Sequence, residues 1–181
     1  MRNADMSSLL AGSQSPHLEV VARNLFDDVP EETVVQYGSG FWSALARDNL
    51  EFIGRRQPGV PKIRVRRIDG PTASSLVEVL NDDMPFLVDS VLGEIRQRGL
   101  NVSLVLHPIF ISKRSAGGDL EEIAATSENG TTSGARESFI QILVDPLADA
   151  DAAALERALG EVLGDVRLAV TDWKPMLARL D

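Results

Sequence analysis

Apolar residues in the first third of this 181-residue chain recur at helical spacing. Residues 16–25 and 40–53 carry them every three or four positions, which is the pattern of one buried helix face. The acidic residues at 31–32 predict another helix start between these two stretches, because they favour the positive end of the helix dipole. The pattern in 40–53 predicts that one side of the helix turns inward. Those residues are Trp42, Leu45, Ala46, Asn49, Phe52 and Ile53.

Short apolar runs bounded by turn residues begin after a linker that contains two prolines and a glycine. Runs at 62–68 and 75–80 predict two strands joined as a hairpin, and 138–144 predicts a later strand. Lys62, Arg64 and Arg66 share one face of the first strand, with Glu78 opposite one of them.

The run at 100–111 is apolar on both faces, so we expect a long strand in the centre of the sheet. Proline cannot donate to a ladder, so a bulge or the strand's exit from the centre is expected at His107-Pro108. The following residues, 113–135, predict a protruding hairpin that turns at 116–118 and then a mobile loop over 127–134.

A helix over 83–98 lies between the second and third strands of this pattern. Asp83 is placed to cap it and Pro85 suits its first turn, where a missing N–H costs nothing. Gly99 is placed to end it in a left-handed conformation. Its inward stripe is Val88, Val91, Leu92 and Ile95.

The last third of the chain predicts two helices. An alanine-rich helix at 148–163 turns Leu155, Leu159, Val162 and Leu163 inward. Asp165 is placed to cap a final helix, which Pro175 is expected to bend or divide.

These elements predict an α+β fold in the order ββαββα: a four-stranded antiparallel sheet of ferredoxin type with two helices on one face. The expected divisions are a flexible N-terminus at 1–15, a helical cap at 16–56, the α+β domain at 57–164 and a C-terminal helix at 165–181.

Charge and composition narrow the classes of function. The formal net charge of −9 argues against general nucleic-acid binding, which needs a basic surface. No apolar run approaches the roughly 20 residues of a membrane span, and the N-terminus lacks a signal-peptide core. Without cysteine the chain has no disulfide, thiol catalysis or zinc–thiolate site, which fits a cytoplasmic protein.

The sequence predicts no catalytic residue and no metal site. Neither His17 nor His107 has a serine or carboxylate partner at a motif spacing, and the acidic residues at 82, 83 and 89 match no calcium-binding loop. Backbone N–H groups nevertheless converge on one point, where a strand end, a turn and a helix start meet. Such a point can hold a carboxylate, for example that of an amino acid. The alternative is a capped helix with nothing bound. The candidate ligand residues are Asn81, Asp82, Asp83, Met84, Phe86, Asp89 and His107.

The segment Asp83-Met84-Pro85-Phe86-Leu87-Val88 resembles the Asp-x-Pro-Gly-Leu-apolar turn of ACT domains, which sense amino acids in metabolic enzymes. Phe86 stands where that family has glycine. The resemblance implies an ACT-like form of the predicted sheet.

Four longer segments, taken in order, resemble the N-terminal region of the large bacterial NAD-specific glutamate dehydrogenases. They are residues 56–65, 81–91 with 104–108, 136–140 with 144–145, and 165–176. The resemblance implies an oligomeric cytoplasmic enzyme that oxidises L-glutamate to 2-oxoglutarate and ammonium with NAD, through a catalytic domain far downstream. This chain is then expected to be a non-catalytic regulatory or assembly domain without its own cofactor, and its apolar helical ending suits a truncated chain.

The partners implied are other domains of the same chain, further copies of the parent and an amino-acid effector, with neither nucleic acid nor membrane. Two alternatives stay open: a stand-alone ACT-type sensor that binds an amino acid at the Asp83 turn, and a self-contained enzyme.

Overall fold

The computed structural model describes residues 15–27, 29–126 and 133–177. Residues 1–14 of the predicted flexible N-terminus and residues 127–132 of the predicted loop at 127–134 lie outside the described residues. Within them the chain forms four helices and six strands. In order, these are α1 (Pro16–Asp27), α2 (Glu31–Ile53), β1 (Lys62–Ile68), β2 (Ser74–Asp82), α3 (Leu87–Gln97), β3 (Val102–Leu106), β4 (Ile109–Arg114), β5 (Leu120–Ala125), β6 (Ala135–Val144) and α4 (Asp149–Leu177).

The predicted α+β class with an antiparallel sheet is confirmed, but the predicted number of strands is wrong. The six strands form one sheet in the order β1-β2-β6-β4-β5, and β3 also pairs with β6. The long strand β6 pairs with β3 through its C-terminal half and with β4 through its N-terminal half. The predicted strand at 100–111 is therefore two strands that share one neighbour.

The interruption between β3 and β4 falls at His107 and Pro108, where the sequence predicted a bulge or exit. Pro108 has no N–H, but its carbonyl accepts from the N–H of Phe139 at 3.0 Å, so β6 continues past the break. The predicted central position of this segment is wrong for β3 but holds for residues 109–111, because β4 lies between β6 and β5. β3 pairs with β6 alone among the described strands, whereas β2 and β6 are the buried centre.

The predicted hairpin turn near 116–118 joins β4 to β5. The hairpin does not protrude, because β4 also pairs with β6 and so extends the main sheet. Its turn lies tightly against the linker that follows α2. Gly118 has a φ of +88°, and a Cβ there would lie 2.5 Å from the carbonyl oxygen of Arg56, so only glycine fits.

Helices α3 and α4 cover one face of the sheet. The inward stripes of both helices pack on β1, β2 and β6 in one cluster, whose helical members include Val91, Ile95, Leu155, Leu159 and Leu163. Gly99 follows α3 with a φ of +72°, as predicted. One helix, α4, replaces the two predicted at 148–163 and 165–181. Asp165 lies inside this helix, which runs on to Leu177. Just beyond Asp165, Val166 packs on the apolar core and Arg167 binds Asp82, so these contacts hold the continued helix against the sheet.

The N-terminal helices cover the opposite face of the sheet. The six residues predicted to face inward from 40–53 are the buried residues of α2. They pack with α1 against Leu76, Leu80, Phe139 and Leu143 in two apolar clusters. The separate helices predicted to start at 31–32 and at 40 are one helix with a kink at Gly38, which has φ 75° and ψ 161°. The sheet is thus buried between two helical layers.

Strand β1 forms one outer edge of the sheet. The N–H of Val65 donates to Oε1 of Glu156 in α4 at 2.6 Å. The α4 helix has 29 residues, but neither it nor any other described helix has the length and apolar content needed to cross a membrane.

Candidate functional site

Charged side chains from three parts of the chain meet at the end of β2. One oxygen of Asp82 accepts a hydrogen bond from Arg56, in the linker after α2. The other accepts from Arg167 of α4 at 2.8 Å. A single carboxylate therefore joins the helical cap, the sheet and α4.

Glu137 of β6 lies directly across from Asp82 in the β2–β6 ladder. Its Oε1 accepts from Nε of Arg56 at 2.7 Å, and its Oε2 accepts from Arg114 at 2.7 Å and from the Ser112 hydroxyl at 2.6 Å. The side chains of Arg56, Arg114 and Glu137 are only 2%, 4% and 1% exposed. We call these six residues the Asp82–Glu137 cluster: Arg56, Asp82, Ser112, Arg114, Glu137 and Arg167.

Two of the three arginines in the cluster also donate hydrogen bonds to backbone carbonyls. Arg114 donates to the carbonyl of Ile53 at 2.9 Å and to that of Gly118 at 3.1 Å. Arg56 donates to the carbonyl of Val60 at 3.0 Å. The end of α2, the linker and the β4–β5 turn are thereby fixed to the sheet.

The carboxylates of the cluster are poor proton acceptors. Burial alone would raise the pKa of Glu137, but hydrogen bonds from Arg114 and Ser112 and the charges of Arg114 and Arg56 outweigh it and lower the pKa. Burial alone would also raise the pKa of Asp82, but the hydrogen bonds and charges of Arg56 and Arg167 outweigh this effect. The pKa of Asp82 is therefore lowered as well. Groups held ionised in this way serve as structural joints rather than as general bases at neutral pH.

A second polar layer lies between α2 and the middle of the sheet. Glu78 is fully buried and accepts from Arg64 at 2.6 and 2.9 Å and from Arg66 at 3.1 Å. The predicted cross-strand pair is confirmed, since Arg64 lies opposite Glu78. Beside it, Asn49 of α2 and Gln141 of β6 form a buried amide pair.

The structure brings three of the predicted ligand residues together at the end of β2. Asn81 is buried; its Oδ1 accepts from Arg167 at 2.9 Å, whereas its Nδ2 has no hydrogen-bond partner. Asp82 belongs to the cluster. Asp83 accepts from Nε of Arg136 at 3.0 Å.

The prediction that Asp83 caps the helix is wrong. The chain stays non-helical for three more residues, and α3 begins at Leu87, after Phe86 and without a side-chain cap. The backbone N–H of Asp83 instead donates to the carbonyl of Arg136 at 2.9 Å, which extends the contact between the ends of β2 and β6.

The other predicted ligand residues point to different surroundings. Met84 packs against the core under α3 and α4, and Asp89 is exposed in the first turn of α3. Phe86 is 53% exposed with a φ of 71°, a left-handed conformation at the position where ACT domains have glycine. Nε2 of His107 lies 2.5 Å from the hydroxyl of Ser138, the cross-strand partner of Asn81.

Sequence reasoning missed the arginines that build the cluster. Basic pairs in turns, such as Arg55-Arg56, are usually exposed. The Arg55 side chain is indeed 73% exposed, but Arg56 is buried. A signal was present, because Arg56, Glu137 and Arg167 all fall within the segments that carry the family resemblance. Within the described ranges, no group of three or more histidine and acidic residues is placed to hold a metal ion.

Comparison with known proteins defines the class to which this fold and site belong. Residues 21–159 match the family described as "Glutamate dehydrogenase, ACT1 domain", and the chain belongs to that family. The predicted resemblance is therefore confirmed.

Its relatives include three proteins named NAD-specific glutamate dehydrogenase. That of Pseudomonas aeruginosa is 38% identical over 136 residues, which are 72% of this chain and 8% of the relative. The Halomonas elongata protein is 37% identical over 134 residues and the Mycobacterium tuberculosis protein 30% over 131, each match covering 71% of this chain and 8% of the relative. The chain thus spans less than a tenth of the length of these relatives.

Proposed function

We propose that this chain is the N-terminal regulatory and assembly domain of a large NAD-specific glutamate dehydrogenase. The parent enzyme would convert L-glutamate, NAD and water to 2-oxoglutarate, ammonium and NADH. NAD would bind in the parent's catalytic domain, and this domain alone would be inactive. The observation that carries the proposal is the match of residues 21–159 to the glutamate dehydrogenase ACT1 domain, alongside relatives of which the matched part is only 8% of the length.

The Asp82–Glu137 cluster suggests how such a domain would transmit a signal. Asp82 binds Arg56 on the cap side and Arg167 on the α4 side, so a change in the position of either element alters the contact of the other. An effector or a neighbouring subunit that favours one arrangement would thereby bias the whole domain. Couplings of this kind are typically about 1–3 kcal/mol.

The proposed partners are the other domains of the same chain and further copies of the parent in a cytoplasmic homo-oligomer, with no nucleic acid or membrane. Two sets of measurements test the proposal. The isolated chain should not reduce NAD with glutamate, whereas the full-length enzyme should. Removal of residues 1–181 should leave the NAD site of the parent intact but change its oligomeric mass or its response to amino acids.

Glu137→Gln in the full-length enzyme should alter the same properties, because it breaks the cluster without touching the catalytic domain. Glu122→Gln is a matched control, since Glu122 is 56% exposed and pairs only with Lys113 in the described structure. Reduction of NAD by the isolated chain, or a deletion without effect on mass and amino-acid response, would contradict the proposal.

A second candidate function is an amino-acid sensor at the Asp83 turn. The observation that favours it is the buried Nδ2 of Asn81, which has no partner and can donate to a ligand oxygen. The test is a thermal-shift series with the common amino acids. A ligand at 100 times its dissociation constant should add about 2.7 kcal/mol of stability.

In that series Asp83→Ala should reduce the thermal shift that an amino acid causes. Asp89→Ala is the control and should not reduce it, because the side chain of Asp89 is exposed on α3. Absence of a shift with every amino acid would exclude this candidate and leave the first proposal unaffected.

A further inference from the structure

A cavity of about 330 Å³ lies between the outer strand β1 and the first turns of α4, and Ser75 of β2 also lines it. Its volume falls at the small end of the range for ligand sites, which is roughly 300–1,000 Å³. Ser75 and Asp82 lie near opposite ends of β2, separated by roughly 23 Å of strand. The cavity is therefore a different place from the Asp83 turn and the Asp82–Glu137 cluster.

The wall of the cavity that α4 forms is acidic at both ends and small in the middle. Its residues recur at i, i+3, i+4 and i+7, which is one stripe of a helix: Asp149, Ala152, Ala153 and Glu156. The Glu156 carboxylate is fixed there, because its Oε1 accepts from the N–H of Val65 at 2.6 Å. Within the described ranges, neither Asp149 nor Glu156 forms an ion pair.

The wall on the side of the sheet carries a positive charge. Arg67 of β1 lines the cavity and donates through Nε to the carbonyl of Leu147 at 3.2 Å, which fixes the start of its guanidinium. The two terminal nitrogens of Arg67 have no partner in the part of the chain that the structure describes. The N–H of Leu147 donates to the Ser75 hydroxyl at 2.9 Å, so the segment before α4 is held on the sheet. One guanidinium and two carboxylates thus line a single cavity without pairing with each other.

We propose that this cavity binds an α-amino acid with a short apolar side chain. The ligand carboxylate would accept hydrogen bonds from the terminal nitrogens of Arg67, and the ligand ammonium would donate to Asp149 and Glu156. Hydrogen bonds between charged groups are roughly twice as strong as those between neutral groups. A simple anion would meet the two carboxylates and a simple amine would meet the guanidinium, so a molecule with both charges fits best.

The rest of the cavity lining suits a short apolar side chain. Val65 and Leu147 supply apolar surface, and the methyl groups of Ala152 and Ala153 leave open the space between the two acids. Sites for small molecules typically combine such apolar walls with a few polar groups that fix the orientation of the ligand.

Isothermal titration calorimetry of the 181-residue chain with L-alanine, L-valine and L-leucine tests the proposal. At least one of them should bind. Analogues that lack either the amino group or the carboxylate should bind about tenfold more weakly or not at all, because each loses one charged contact. For L-valine these analogues are 3-methylbutanoate and isobutylamine. This comparison needs no variant, so it does not depend on how a substitution affects folding.

Substitutions then locate the bound ligand. Arg67→Gln should weaken binding about tenfold or more, because it removes the partner of the ligand carboxylate. The double variant Asp149→Asn with Glu156→Gln should weaken it similarly through the ammonium, while a side-chain oxygen stays in place for the Val65 N–H.

The matched controls are exposed residues of α4 that do not line the cavity. They are Arg157→Gln for the arginine, and Asp151→Asn with Glu161→Gln for the two acids. Both controls should bind the amino acid as the wild type does, and circular dichroism should show the wild-type spectrum for every variant.

The inference is overturned if none of the three amino acids binds, or if L-valine and its two analogues bind equally. It is also overturned if binding survives Arg67→Gln unchanged, and loss of binding in Asp83→Ala instead would locate the ligand at the Asp83 turn. The site does not depend on the proposed regulatory function. If removal of residues 1–181 changes neither mass nor amino-acid response in the parent, that function fails, whereas binding by the isolated chain is unaffected.

Discussion

Asn49 of α2 and Gln141 of β6 donate hydrogen bonds to each other, at 3.0 and 2.8 Å, although they are 92 positions apart in the chain. Both are buried beneath the helical cap, where apolar residues form the rest of the contact. The pair sets how α2 lies on the sheet, because a shift of the helix would leave two buried amides unpaired.

Asn49→Leu should lower the free energy of unfolding by about 1–3 kcal/mol, since it leaves the Gln141 amide buried without its partner. The double variant Asn49→Leu with Gln141→Leu should recover most of this loss, because neither amide then remains. Urea unfolding of the single and double variants measures both effects. The exposed change Gln36→Leu in the same helix is the control and should stay within about 0.5 kcal/mol. Additive losses in the double variant would show that the pair does not couple cap and sheet.

Glu137→Gln should be among the most damaging single changes in the domain. It removes the charge that neutralises Arg56 and Arg114, which are both almost fully buried. Loss of one partner from a buried ion pair typically costs about 3–5 kcal/mol. Equilibrium denaturation measures the loss, with exposed Glu122→Gln as the matched control. A loss no larger than that of the control would mean that the arginines find other acceptors.

Acid should destabilise the domain through Asp82 and Glu137. The pKa of each is lowered in the folded state, so each binds protons less readily than in the unfolded chain, where ordinary values are about 4. Their stabilisation is therefore complete above about pH 5 and is lost as the pH falls through the ordinary range towards the lowered values. The variant Asp82→Asn with Glu137→Gln should be less stable at neutral pH and depend less on pH below 5. Parallel stability curves for the variant and the wild type would contradict this prediction.

Phe86→Gly should give a more stable domain than Phe86→Ala, by about 1–2 kcal/mol. Both variants lose the aromatic ring, but only glycine adopts the observed φ of 71° without strain. This order is the reverse of the usual one, in which glycine costs entropy in the unfolded chain. Thermal or urea unfolding of the two variants decides the point. Equal stabilities would indicate that the turn relaxes when the ring is removed.

Local rules predicted the parts of this fold that depend on neighbouring residues in the chain. Helical spacing identified the buried side of α2, from Trp42 to Ile53, and proline chemistry placed the break at Pro108. Gly99 ended α3 as expected, because only its own backbone conformation was at issue.

The parts that the sequence did not predict depend on distant contacts. The residues Leu76, Glu78, Leu80 and Asp82 share one face of β2, and leucine and acidic residues alternate along it. Acidic residues on a face are typical of a sheet face in contact with water. Only the docking of the cap on that face buries Glu78 and brings Arg56 to Glu137. For the same reason the division of β6 between β3 and β4 could not be seen, since strand pairing is not encoded in either strand alone.

The bond from the Val65 N–H to Glu156 occupies one backbone donor of β1, an outer strand of the sheet. An outermost strand with free N–H groups is a template for aggregation, and here a carboxylate occupies a place where the carbonyl of an incoming strand would lie. Glu156→Ala should leave the circular dichroism of the domain unchanged while light scattering rises with concentration. We therefore expect the Glu156 side chain to reduce edge-to-edge association of the sheet through β1.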